Sequence, residues 1–445
     1  MDGRTGATCP EHDVTEAVPR LHGEVRLLPF RALRYNPHYV AQLSAILGPP
    51  DDFRSHRQAR ELGRMHPYHS IWLELPDEDE EHFREAQQRF MRWRAENILV
   101  EDQHPGFYLY AHHYRRLGSA YRRLGIFGII PVQDETSRPT LLPHEGVMPS
   151  VVARRLALRQ ALNADVSAIY VVAQAEGRLR STLEDLSTKA EPLLDIHDTK
   201  GERHQLWAIT DSVAIRLLTQ VLANSPFVIA DGHHRYAAAR ADWHARRSNN
   251  DRYVSASGLV LVHVVDAADP GIQLRPIHRL VRGLTAERVQ AVLAACRQYC
   301  DVFELSPLYP LTAERLQHTL AAAQSVHGVI FVLASAATQH VYALYQSTAV
   351  AVPNELEVER CEHFVMEPLR RVLGLSPEAV GYEPELEGVV RHLVSDPTAA
   401  AVLLRPPQLA DVLARAQLGR LLPPKSTSFY PKVPLGLLFR AFDVD

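Results

Sequence analysis

Cysteine is scarce in this chain, with four in 445 residues. That number is too low to staple a chain of this length with disulfides. Cys9 and Cys361 stand far apart, and only Cys296 and Cys300 are close, four residues apart on an expected helix face. They are expected to be a reduced pair rather than half of a zinc site. No apolar run approaches the ~20 residues that a membrane-spanning helix needs. Met1 to Arg20 is polar and acidic and lacks the apolar core of a secretory signal. A net charge of −4 gives no global attraction to nucleic acid or membrane. The expected location is the cytoplasm, with no nucleic-acid or membrane partner.

Several catalytic patterns are also missing. No Gly-x-Ser-x-Gly elbow, no Gly-x-Gly-x-x-Gly after a strand and no His-Glu-x-x-His helix occurs. These absences argue against an elbow hydrolase, a dinucleotide oxidoreductase and a zincin.

What is present is a mixed α/β pattern. Apolar strand-like runs occur at 69–75, 107–114, 123–132, 168–173, 205–209, 226–231 and 259–265, between amphipathic helices near 82–97, 150–163 and 212–222. Residues 274–280 read as an irregular connection. From Thr285 the pattern becomes a simpler alternation of helices and strands, including helices at 285–298 and 355–373. Residues 1–24 are expected to be a flexible leader, 25–284 one domain and 285–445 a second α/β lobe. The tail at 422–432 is expected to return toward the site. Of the 23 histidines, most stand singly. The pair His112-His113 lies in an alternating strand, which sends its two rings to opposite faces.

The densest chemistry is in Pro226-Phe-Val-Ile-Ala-Asp-Gly-His-His-Arg-Tyr-Ala-Ala-Ala-Arg240, an apolar strand, a glycine turn and an alanine-rich helix. Asp231, His233, His234 and Arg235 crowd the strand–helix junction, where unpaired N–H groups and the positive end of the helix dipole favour an anion. Gly232 allows close backbone approach. Asp231 is a candidate Mg2+ ligand or proton acceptor, and Arg235 a bidentate phosphate binder. Three other segments join it. His144-Glu145 offers a carboxylate beside an imidazole, a reasonable general base. Lys425-Ser426-Thr427, with Lys432 nearby, offers a cation and hydroxyl and amide donors for phosphate. His278-Arg279 is assigned a supporting place, as are His144 and Lys432.

Five segments carry a resemblance: Pro29-Phe-Arg-Ala-Leu-Arg-Tyr35, Leu142-Pro-His-Glu145, Ile229-Ala-Asp-Gly-His-His-Arg-Tyr236, Pro276-Ile-His-Arg-Leu280 and Pro424-Lys-Ser-Thr-Ser-Phe-Tyr-Pro-Lys432. Together, and in this order, they resemble the marks of the DUF1015 family. The Asp-Gly-His-His-Arg turn is similar to that of free serine kinases in the ParB/sulfiredoxin superfamily. The resemblance implies a ParB/sulfiredoxin-like core. It also implies a turn that holds nucleotide phosphates, ADP as phosphate donor, Mg2+, a glutamate base and the hydroxyl of free serine as acceptor. On it, Asp231, His233, His234 and Arg235 take the phosphate site, and Glu145 is inferred to be the base. Sulfiredoxins carry a reactive cysteine where this chain has His233, and ParB proteins carry Gly-Glu-Arg-Arg in the turn.

The chain departs from the family pattern at Gly48-Pro-Pro-Asp-Asp52, at His144-Glu-Gly-Val147 and at Glu362-His363. These departures point to an acceptor different from that of its relatives, or to weaker activity. The leading expectation is a small-molecule kinase using ADP or ATP. The alternatives are a ParB-like nucleotide switch or NTPase that binds CTP or ATP, and a phosphatase or phosphate-ligand sensor. The acceptor and the oligomeric state are not encoded in any motif.

Overall fold

A computed structural model describes residues 27–40, 42–48, 56–74, 80–116, 118–132, 141–249, 254–307, 310–323, 330–347 and 355–442. The leader at 1–24, Cys9 and the prolines at 49–50 lie outside these residues.

The fold is mixed α/β, built around two large sheets. The first has eight strands in the order Leu141–Leu142, Phe227–Asp231, Ile169–Ala173, Leu259–Asp266, Ser119–Pro131, Phe107–Arg116, Arg203–Ile209 and Leu194–His197. Two of its pairings are parallel, Phe227–Asp231 with Leu141–Leu142 and Leu259–Asp266 with Ile169–Ala173. Strand periodicity explains how both faces are filled. Phe107, Leu109 and Ala111 face the core under the helices Arg178–Ser187, Ser212–Leu222 and His233–Ser248. Tyr108 and Tyr110 face the other side, with Leu437 and Leu438 of the C-terminal segment. Beside them Phe429 and the helix Leu409–Gln417 cover Tyr170 and Val228.

The second sheet is six-stranded, in the order Cys300–Pro307, His340–Gln346, Ile330–Ser335, Ala400–Leu403, His278–Val281 and Gly381–Glu383. Helix Ala286–Cys296 and the segment 357–373 pack on one face, and helix Leu386–Ser395 on the other. The C-terminal segment then crosses back: Ser428–Tyr430 pairs with Gln273–Arg275, and Arg440–Ala441 with Ala164–Asp165.

Three local expectations are corrected. The strand expected at 69–75 does not form over the described residues 69–74: Ser70–Leu73 is a 3-10 turn, because the His69 ring accepts the Ile71 N–H at 3.1 Å and bends the backbone. Residues 274–280 are not irregular. They supply parts of two short strands, Gln273–Arg275 and His278–Val281, whose partners arrive from more than 100 residues downstream. Cys296 and Cys300 do not share a helix face, since Cys296 ends a helix and Cys300 opens a strand. Both are free and buried, and burial pushes their thiols up to about 12, so they behave as core residues.

No helix among the described residues is long and apolar enough to cross a membrane.

Candidate functional site

Strand Phe227–Asp231 is buried through Ala230 and delivers Asp231 to its C-terminal end. Gly232 then turns the chain with φ +101°, a left-handed conformation that glycine adopts without a Cβ clash, and the sixteen-residue helix His233–Ser248 begins. A Cβ on Gly232 would lie 3.0 Å from Arg235 Nε. Gly232 has no side chain to cap the helix, so the positive end of the dipole begins at a turn without a side-chain cap.

Around that terminus the charges are arranged in pairs. Asp231 Oδ2 accepts from Arg235 Nη2 at 2.5 Å, and Asp231 Oδ1 lies 3.1 Å from Lys432 Nζ. Burial alone would raise the Asp231 carboxyl, but Lys432 and Arg235 outweigh it and hold the group far below the usual carboxylate range. Arg235 also donates to the Ala168 carbonyl at 2.8 Å, which fixes the guanidinium.

The histidines are not exchangeable. His233 is buried, and its Nε2 accepts the His144 backbone N–H at 3.2 Å. Burial and the neighbouring His144 lower its pKa to about 3, so the ring is neutral and structural in character. His234 Nε2 accepts the Met148 N–H at 3.0 Å. His144 is fully buried, and its Nδ1–H donates to the Ile229 carbonyl at 2.6 Å while Nε2 meets Thr427 Oγ1 at 2.7 Å.

Glu145 is the residue whose geometry says most. Its Oε1 accepts the N–H of Ser426 at 3.1 Å, the N–H of Thr427 at 2.6 Å and the Thr427 hydroxyl at 2.7 Å. Leu422 N–H donates to the His144 carbonyl at 2.7 Å, and Gly146 N–H to the Leu422 carbonyl at 3.0 Å. The 422–427 strap is thus tied to the 144–146 loop. Burial would raise the Glu145 carboxyl, but hydrogen bonding and charge from His144, then His233 and Thr427, bring it down to about 2. A folded pKa below the free value of 4.5 means the anchor stabilises the fold above about pH 4.5, and the contribution is lost as pH falls toward 2. The shift corresponds to roughly 3 kcal/mol. Glu145→Gln is accordingly expected to lower stability by about 2–3 kcal/mol at pH 7, with the gap from wild type shrinking below pH 4 in urea denaturation. A gap independent of pH would contradict the anchor.

The other sequence-selected residues fall into place around the strap. Arg279 is fully buried; its Nη1 donates to the Lys425 carbonyl at 3.1 Å, and its Nε lies 3.3 Å from Glu362 Oε1. Lys425 itself has φ +61°, and Arg279 braces that turn. His278 packs behind it, its Nδ1 accepting the Leu404 N–H at 3.2 Å. Ser426 is buried, with its hydroxyl donating to the Pro423 carbonyl at 2.6 Å, and it borders neither cavity described next.

Two cavities meet here. One, about 240 Å³, is lined by Arg154, Arg155, Arg235, Lys425 and Lys432, with Glu74 and Asp231 as its carboxylates. The other, about 230 Å³, is lined by Glu145, His233, Thr427, Ser428, Ile277 and Tyr382 among others. Asp231, Gly232, His234, Lys425 and Lys432 border both. Sequence reasoning missed Arg154 and Arg155, which read as ordinary polar positions on the helix Pro149–Leu162. No local motif marks them, since only packing of that helix against the His233 helix aims them at the site.

A family model described as a protein of unknown function, DUF1015, matches residues 27–366. Among solved structures, the chain is similar to a free serine kinase variant in complex with ADP, at 12% identity over 70% of this chain and 92% of that one, with a TM-score of 0.36. A conserved hypothetical protein from Pyrococcus furiosus gives 12% identity, coverage of 72% and 97%, and a TM-score of 0.37. SbnI with a C-terminal truncation, from Staphylococcus aureus, gives 11%, 71% and 87%, and 0.36. No curated protein matches the sequence.

Proposed function

The chain belongs to the DUF1015 family, and from its own site we propose that it is a phosphotransferase that moves a phosphoryl group from ADP or ATP to the hydroxyl of serine or a serine-like metabolite. The observation that carries this reading is the uncapped N-terminus of the His233 helix opening into a cavity with five cationic side chains and two carboxylates. Such a cavity suits a polyphosphate, whose charge needs several fixed donors at once. The second cavity shares a wall with the first, so an acceptor seated there meets the terminal phosphate at Asp231, His234, Lys425 and Lys432. Its mixed lining of hydroxyls, two carboxylates, two lysines and an aromatic ring suits a small zwitterion.

Phosphoryl transfer depends chiefly on positioning and charge neutralisation. Arg235, Lys425 and Lys432 supply the charge, and the N–H groups at the start of the helix supply the cradle. Glu145 acts as the anchor that presents Lys425 and Thr427 to the reacting groups. With a pKa near 2 and three donors on one oxygen, it is a weak proton acceptor, and in this proposal its role is to anchor the strap rather than to act as base. Mg2+ fits poorly at Asp231 in this arrangement, because both carboxylate oxygens are held by cations.

The test is phosphorus NMR of purified protein with ADP or ATP and a mixture of hydroxy amino acids. A phosphomonoester that appears with wild type and falls at least tenfold in Lys432→Met is expected. Nucleotide binding without any phosphorylated acceptor would favour a nucleotide switch, and hydrolysis of a generic phosphoester would favour a phosphatase.

A further inference from the structure

On the distal part of the eight-stranded sheet, three residues far apart in sequence come together. His112 and His204 sit opposite each other on paired strands, with ring centroids 4.4 Å apart. Glu202 precedes that strand, and one potential ligand atom from each of the three lies within 4.8 Å of the others. None of them borders the two cavities. We propose that His112, His204 and Glu202, with Asp198 as a fourth ligand, form a site for a divalent transition-metal ion, Zn2+ being the best match.

The donor set is the first argument. Two imidazoles and two carboxylates suit zinc-like ions, whereas Mg2+ and Ca2+ take oxygen ligands throughout. The second is an orphaned atom. His204 is 1% exposed, and its Nε2 has no hydrogen-bond partner, although it faces Asp198 Oδ2 at 3.5 Å. A buried ring nitrogen aimed at a carboxylate beyond ordinary bonding range is the arrangement an intervening ion completes.

The surroundings are already organised. Asp198 Oδ1 accepts the N–H of Lys200 at 2.8 Å and of Glu202 at 2.9 Å, and this fixes the carboxylate with Oδ2 turned toward His204. Tyr110 OH bonds His204 Nδ1 at 2.7 Å and so orients the ring from behind, as outer partners do around bound metals. Glu202 Oε2 lies 2.7 Å from His112 Nε2, while Oε1 accepts the Tyr430 hydroxyl at 3.2 Å. An ion on Oε2 leaves Oε1 to hold Tyr430, which belongs to the same returning segment as Lys425 and Lys432. The role assigned to the ion is therefore structural, fastening that segment to the sheet.

The experiment uses full-length protein without an affinity tag, stripped with a chelator and titrated with Co2+ and then Zn2+. One equivalent of Co2+ giving visible ligand-field bands, displaced by Zn2+, is expected. Glu202→Gln is expected to weaken binding ten- to hundredfold. X-ray absorption of the wild-type zinc form should show two imidazoles with oxygen ligands, a readout that holds even where the variant folds badly. No stoichiometric uptake by wild type, equal uptake by Glu202→Gln, or sulfur ligation would overturn the proposal.

Discussion

Replacing Asp242 with alanine is expected to destabilise the protein by about 3–5 kcal/mol, because it removes the carboxylate shared by two buried guanidinium groups. Asp242 is fully buried on the helix that carries the site. Its oxygens accept from Arg159 Nε at 3.2 Å and Arg246 Nε at 2.8 Å. Arg159 also pairs with Asp165, whose Oδ2 takes Arg440 at 3.0 Å and the Leu261 N–H at 3.1 Å. Burial pulls even the Arg159 guanidinium down to about 9. The network links the His233 helix, the helix Pro149–Leu162 and the C-terminal strand, so it sets the direction in which the helix N-terminus points. Urea denaturation checks the magnitude. Asp242→Leu combined with Arg246→Met should recover more than half of the loss, since Arg246 is removed together with its carboxylate while Arg159 keeps its pairing with Asp165. A single-variant loss under about 1 kcal/mol would show that the network is solvated and does not fix the helix.

Arg235→Met is expected to weaken ADP binding by about ten- to hundredfold, the effect of one lost charge-assisted fork at a partly buried site. Arg235 has two tasks: it pairs with Asp231 and borders the basic cavity. Its removal leaves Lys432 to balance Asp231 alone, which draws that lysine away from a phosphate. Gly232→Ala should act in the same direction by another route, since a Cβ at φ +101° is strained and crowds Arg235 Nε. Calorimetric titration of both variants separates binding from catalysis. Affinity unchanged in Arg235→Met would remove the guanidinium from the phosphate site.

Much of this site was legible in sequence for local reasons. The run Phe227–Ala230 is apolar, Gly232 breaks it and the alanines after Tyr236 favour helix, so the position of Asp231 and His233 at a strand–helix junction follows from propensity and pattern alone. The short strands at 273–275 and 278–281 were not legible, because each is stabilised by partners at 381–383, 400–402 or 428–430 and carries little propensity of its own. Glu145 illustrates the same limit. Its type suggested a base, but its chemistry is decided by the N–H groups of Ser426 and Thr427, some 280 residues away in sequence. His112 and His204 are likewise brought together only by strand register.

The central claim is that the polyphosphate sits at the start of the His233 helix. A crystal structure with ADP at saturating concentration tests it most directly. The account predicts phosphate density within hydrogen-bonding distance of the His233–Arg235 N–H groups, flanked by Arg235, Lys425 and Lys432. ADP bound elsewhere, or a phosphate-free helix terminus in crystals grown with saturating ADP, would contradict it.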